Sequence, residues 1–205
     1  MAPVAVVKGN GMAILPIRQY GEPVLHERAA PVGHVDRDVR QVMQDLWETM
    51  EDAPGIGLAA PQVGVSLRVI VVHVEDESHL IANPRIIAAH GSQEGVEACL
   101  SLPGVQGVVV RPQHVVVGGA NRNGRSVKIE AEDLLARCLC HEIDHLDGCL
   151  FLDKALDGTI CRSICVGEDE DGDPIYRHEP LTREEAFEWL LAQWHDAVAT
   201  SAAVD

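Results

Sequence analysis

Between Glu132 and Leu146 the chain places two histidines, His141 and His145, four residues apart, and surrounds them with Leu134, Leu135, Leu139 and Leu146. That spacing of leucines predicts a helix ending at Asp147-Gly148, where glycine can take the left-handed conformation that closes a helix. It carries two imidazoles about one turn apart on one face. Two imidazoles so placed can bind one metal ion, and Glu142, beside the first, can act as a general base toward water. His141-Glu142-Ile143-Asp144-His145 therefore points to metal-assisted hydrolysis. The alternative is a structural histidine pair, and the apolar flanks make a merely solvated face a poor account. The motif leaves open the third ligand and the bond that is cut.

What surrounds this helix reads as mixed structure. Asp36 to Asp52 has apolar residues at Val39, Val42, Met43, Leu46, Trp47 and Met50, a helical pattern with Asp36 as N-cap and Pro54-Gly55 as the stop. Leu67–Val74 is a β-branched run and a strand. Further strands are expected at Leu80–Ala82, Arg85–Ala89, Gly107–Val110, His114–Val117 and Val127–Glu130, separated by Asn83-Pro84, Gly118-Gly119 and Asn121–Gly124. The expected fold class is α+β: mainly antiparallel strands around the central metal-binding helix, with an N-terminal helix and a C-terminal appendage helix. Residues 1–15 read as a loose arm and Ile17–Val32 as an extended loop.

The 205 residues suffice for one domain plus an appendage. The formal charge of -16 repels nucleic acid, and no basic patch with interleaved aromatics offsets it. No apolar run approaches the roughly 20 residues that span a bilayer, and the N-terminus lacks the basic and apolar regions of a signal peptide. The six cysteines (Cys99, Cys138, Cys140, Cys149, Cys161 and Cys165) then read as free thiols or metal ligands rather than disulfides, and the cytoplasm is the expected compartment.

Two more segments carry chemistry. Cys99, in Glu97-Ala98-Cys99-Leu100-Ser101, reads by itself as a small core residue. Two histidines need a third protein ligand at an open catalytic site, however, and a thiolate suits that position. Gly55-Ile56-Gly57-Leu58-Ala59-Ala60-Pro61-Gln62 lacks the lysine of a phosphate loop; its small residues would let a ligand approach the backbone, and the Gln62 amide could donate to a developing oxyanion. An ordinary turn is the plain alternative.

Taken in order, GIGLAAPQ, EACLS and HEIDH resemble the three signature motifs of the peptide deformylases, and the resemblance runs from about residue 14 to 155. It implies an amide hydrolase that removes the formyl group from N-formylmethionyl peptides of nascent proteins and releases formate. It implies that Cys99, His141 and His145 bind one divalent metal with water completing the set, with Fe(II) native and zinc or nickel as forms isolated. Glu142 would move the proton, and Gln62 and the Leu100 backbone N–H would hold the oxyanion. Gly57 would align the peptide, and Ile56, Leu134 and Cys138 would line the methionine pocket. The implied partner is the formylated peptide, with no membrane or nucleic acid bound directly.

This chain departs from the pattern in three places. Ala98 stands where the family has glycine, which matters if the backbone angle there is positive. Cys140 replaces a glutamine and is read as a packing residue. The third departure is the tail: 1–155 is expected to be the catalytic domain, and 156–205 an acidic linker plus an amphipathic helix. Gly167–Pro174 is the linker, Thr182 and Glu185 form a capping box, and Phe187, Leu190, Leu191, Trp194 and Val198 form the helix's apolar stripe. Glu168, Asp169, Glu170, Asp171, Asp173, Glu184, Glu185 and Glu188 make this tail acidic, so any transient ribosome contact would not run through it. A chain ending at residue 166 is expected to keep activity. A non-catalytic, peptide- or metal-binding descendant is the competing reading, against which stands the intact set Gln62, Cys99, His141, Glu142 and His145. An endopeptidase of the general HExxH type is disfavoured by the thiolate and the Gln62 segment.

Overall fold

The computed structural model describes residues 13–168 and 172–201, so the first part of the expected N-terminal arm lies outside the described residues. The strands are β1 (Gly57–Ala59), β2 (Val69–Val74), β3 (Glu77–His90), β4 (Gln93–Cys99), β5 (Leu102–Arg111), β6 (His114–Asn121), β7 (Ser126–Glu132), β8 (Cys161–Glu168) and β9 (Pro174–Pro180). The helices are α1 (Arg37–Asp52), α2 (Asp133–Leu146), α3 (Phe151–Lys154) and α4 (Arg183–Ser201). They fall into two compact units. The first holds residues up to Arg18, Glu22–Gln93 and Arg111–Leu150; the second holds Gln19–Gly21, Glu94–Val110 and the residues from Phe151 on. Mixed helix and antiparallel sheet is the class expected from the sequence.

In the first unit, α1 begins where expected. The Asp36 side chain accepts the Val39 N–H at 2.9 Å. That bond holds the Asp36 carboxyl below its usual range, so the cap contributes above that range and weakens as the pH falls through it. Val39, Val42, Met43, Leu46 and Met50 are buried along one face. The sheet is antiparallel, in the order β1-β2-β3-β6-β7. Against it α2 buries Leu135, Ala136, Leu139, Ile143 and Leu146, which meet Ile70, Val72, Ile81, Val115 and Val117 from the strands in one cluster.

The strand pattern differs from the expectation at two places. Asn83-Pro84 does not separate two strands: β3 runs through it with a register irregularity. Asn83 takes a φ of 51°, and its amide clamps the incoming loop, accepting Val32 N–H at 2.8 Å and donating to Val32 O at 2.7 Å. Bulged geometry and an Asx side chain stand in for the ladder bonds that a proline cannot make. Gly118 and Gly119 likewise lie inside β6, paired with Lys128 and Val127. A Cβ on Gly118 would sit 2.5 Å from Ile87 Cδ1, and one on Gly119 would collide with Ile81; the glycines make room for neighbouring isoleucines instead of turning the chain.

In the second unit the sheet order is β4-β5-β8-β9. β4 was not expected as a strand. The acidic stretch Gly167–Pro174 is not a plain linker, because its ends belong to β8 and β9, which pair as an antiparallel hairpin. β8 also pairs with β5 at Val105↔Arg162 and Gln106↔Cys161. The capping box at the start of α4 is present: Glu185 accepts the Thr182 N–H at 2.7 Å, and Glu185 N–H reaches Thr182 Oγ1 at 3.2 Å. The stripe expected on α4 holds only in part. Phe187 stacks on Tyr20 with centroids 5.1 Å apart, and Leu190 is buried, but Leu191 and Val198 are exposed. Trp194, also of that stripe, lies over Gly21, and Trp189, outside it, lies over Gly104; both glycines have positive φ, and a Cβ would come within 2.7 and 3.2 Å of the respective indole rings. No helix among the described residues is long and apolar enough to cross a membrane.

Gly148 closes α2 with a φ of 72°, and a Cβ there would lie 2.7 Å from the His26 carbonyl oxygen. Left-handed geometry costs a side-chain-bearing residue about 1–2 kcal/mol before any clash. Gly148→Ala is therefore expected to lower the thermal unfolding midpoint by several degrees, measured by circular dichroism; an unchanged midpoint would show that the loop at His26 yields freely.

Candidate metal centre

α2 brings three of the expected residues together. His145 is 1 % exposed and Glu142 4 % exposed, while His141 is half-buried. The His141 and His145 rings stand edge to face with centroids 5.0 Å apart, as the i, i+4 spacing requires. The helix is also held by a residue that the sequence reading passed over. Arg111, at the end of β5, donates to Asp144 Oδ2 at 2.5 Å, and the Arg111 side chain is 4 % exposed. Removing one member of such a buried pair typically costs about 3–5 kcal/mol. The signal available was the aspartate inside HEIDH, an acid with no chemical task on an apolar helix.

The GIGLAAPQ segment forms β1 and then a 3-10 turn over Ala60–Val63. Gln62 is 2 % exposed, and its Oε1 accepts the Ala59 N–H at 2.8 Å. That bond fixes which end of the amide is which: the oxygen accepts from the turn, and Nε2 is the donor end. Gly57 meets α2 closely. A Cβ on it would lie 2.5 Å from Glu142 Oε1 and 2.8 Å from Cys138 Sγ. The glycine is thus required by the carboxylate behind it, a reason that the sequence alone did not supply. Cys138 is buried and its thiol points to the Ile56 carbonyl oxygen at 3.4 Å. Ile56 and Leu134 expose 47 % and 46 % of their surfaces. Large apolar side chains left this open are available to an apolar ligand.

Cys99 is the last residue of β4 and is 9 % exposed; Leu100, whose backbone N–H was expected at the oxyanion, follows it. Cys99 Sγ and one nitrogen from each of His141 and His145 all lie within 4.8 Å of one another, a group that could hold a metal ion. One thiolate and two imidazoles form a donor set that fits a borderline divalent cation such as Fe(II), Zn(II) or Ni(II), and softness alone does not choose among them. Ala98 is exposed and absent from the residues with positive φ, so its methyl costs the backbone nothing special. Cys140 is 3 % exposed within the core cluster of α2, a packing residue as expected.

An HExxH helix buried against an antiparallel sheet, with a cysteine that could complete a three-residue metal-ligand set, is the arrangement of a metal-dependent hydrolase. Residues 14–159 match the family model of polypeptide deformylase, and the chain belongs to that family. It is 50% identical over 143 residues to the peptide deformylase of Acidothermus cellulolyticus, covering 70% of this chain and 79% of that one. It is 50% identical over 145 residues to that of Alkaliphilus metalliredigens, covering 71% and 99%. Among solved structures, a peptide deformylase from Legionella pneumophila superposes with a TM-score of 0.68 at 43% identity over 70% of this chain and 87% of that one. That from Ehrlichia chaffeensis in complex with actinonin superposes with a TM-score of 0.69 at 37% identity over 71% and 90%.

Gly57→Ala is expected to leave the fold in place but push Glu142 out of position, lowering kcat by at least tenfold with a smaller change in KM. The check is steady-state formate release alongside a thermal melt; unaltered kcat would show that Glu142 and Cys138 shift without consequence.

Proposed function

We propose that this chain hydrolyses the formyl amide of N-formylmethionyl peptides from nascent proteins in the cytoplasm, releasing formate and a free amino terminus. The observation that carries the reading is the convergence of Cys99, His141 and His145 ligand atoms in a chain of this family. The binding of actinonin by the Ehrlichia relative supports a peptide-like substrate. When bound, a divalent ion at these three residues supplies Lewis acidity toward water and the formyl oxygen; in this reading it is Fe(II), with zinc or nickel able to replace it.

The chain's own residues do the rest. Glu142 takes a proton from the attacking water and passes it to the departing amine nitrogen, so that the C–N bond breaks as formate leaves. Its burial keeps competing water away from that proton. Gln62 Nε2 and the Leu100 backbone N–H donate to the oxygen that becomes negative in the tetrahedral state. The Gly57 backbone aligns the peptide as an added strand, and Ile56, Leu134 and Cys138 receive the methionine side chain. Residues 1–155 carry this chemistry, and 156–205 have an accessory, packed role.

The test is formate release from formyl-Met-Ala-Ser by anaerobically purified, Fe(II)-loaded protein. The wild type is expected to turn over and Glu142→Ala to lose at least about a hundredfold, the scale of general acid–base catalysis; activity should decay in air if Fe(II) and the Cys99 thiolate are both required. Metal-loaded wild type that releases no formate would sink the reading. A chain ending at residue 166 is expected to keep its kcat but melt at lower temperature, because it loses the Trp189 and Trp194 packing; loss of kcat in soluble, folded protein would assign the tail to the catalytic unit.

A further inference from the structure

The first turn of α2 is held by residues that no step of the proposed chemistry uses. Its first residue, Asp133, has a φ of 50°, a left-handed conformation unfavourable for a residue with a side chain. The N-cap before it, Glu132, makes no side-chain capping bond, so capping does not set this helix start. Contacts from other segments do. Asp133 N–H donates to Gln113 O at 3.1 Å, and Gln113 Nε2 donates to Asp133 Oδ1. Gln93, which opens β4 and belongs to the first unit, reaches furthest: its Nε2 donates to Asp133 O at 2.7 Å and to Pro112 O at 3.1 Å. Arg137, one turn along the helix and 6 % exposed, donates from Nη2 to Gln93 O and Gln93 Oε1 at 3.3 and 3.4 Å.

Gln93 thereby grips Asp133 and Arg137, residues i and i+4 of one helical turn. The residues next to them in the chain are Leu134 and Cys138, again one turn apart on a common face. They are two of the three side chains that receive the methionine in the reading proposed for this chain. Leu134 exposes 46 % of its surface, so its own packing fixes it little and the backbone beneath it decides where it stands. We propose that Gln93 is a positioning residue for selectivity. Through Asp133 and Arg137 it sets the first turn of α2, and with it the wall that Leu134 and Cys138 present to the first side chain of the peptide. That role rests on the deformylase reading of the chain and extends it to a residue outside the three motifs. An amide suits the task because it donates and accepts at once; a carboxylate at position 93 keeps the acceptors for Arg137 but loses both donated bonds.

Two peptides separate this role from general support of the fold: formyl-Met-Ala-Ser, whose first side chain reaches the wall, and formyl-Ala-Ala-Ser, whose methyl group does not. Formate release is measured for the wild type, Gln93→Ala and Gln93→Glu, each checked by a thermal melt. Both variants are expected to raise KM for the methionine peptide at least about fivefold, the scale of a lost hydrogen bond, with kcat held. For the alanine peptide kcat/KM is expected to stay within about twofold of the wild type. Calorimetric binding of the same peptides to Glu142→Ala protein reads the wall without turnover, and adding Gln93→Ala there is expected to weaken the methionine peptide alone. Equal losses on both peptides, or an undiminished preference for methionine in folded Gln93→Ala protein, overturn the proposal. If the wild type releases no formate, yet Glu142→Ala protein prefers the methionine peptide and loses that preference with Gln93→Ala, the hydrolase reading fails and the role of Gln93 stands.

Discussion

The burial of α2 is the constraint on which everything else depends. Leu135, Leu139, Ile143 and Leu146 each remove an aliphatic side chain from water, and each contributes about 1.5–3 kcal/mol when fully buried. That energy fixes the helix against the five-stranded sheet and therefore fixes its rotation. With the apolar side committed to the sheet, His141 and His145 have one direction left, and Glu142 is carried into the interior with them. A carboxylate in that position would be costly if nothing depended on it.

The remaining pieces are arranged to hold polar groups still where a helix alone would let them drift. Arg111 pins Asp144 from one side. Ala59 N–H pins the Gln62 carbonyl oxygen, so that the amide cannot flip. Gly57 removes the one atom that would press on Glu142. None of these contacts performs chemistry. Each narrows the positions open to a polar side chain on or beside α2, which is how a site gains preorganisation.

Much of this was legible in the sequence, for identifiable reasons. The helix at Asp133–Leu146 and the cap at Asp36 follow from local periodicity and side-chain chemistry, which need no knowledge of the fold. The glycines misled where their cause was remote: Gly118 and Gly119 look like a turn until Ile87 and Ile81 are placed over them. Asn83-Pro84 looked like a break because proline cannot enter a ladder, yet the Asn83 clamp on Val32 carries the strand through. Arg111 could not be read as a partner of Asp144, since an ion pair 33 residues apart leaves no mark on either segment. The tail was misjudged by composition: a run of acids reads as solvated linker whether or not its ends pair in a hairpin.

β7 closes the list of strands in its sheet, and edge strands are where sheets of separate molecules join. Its outward residues Ser126, Lys128, Glu130 and Glu132 are polar or charged along its whole length, and Lys128 and Glu130 pair with each other at 2.7 Å. A strand arriving from another copy would have to strip water from that row and set its own charges against it. The same residues that make the edge unremarkable as a catalytic surface make it a barrier to fibrous self-association.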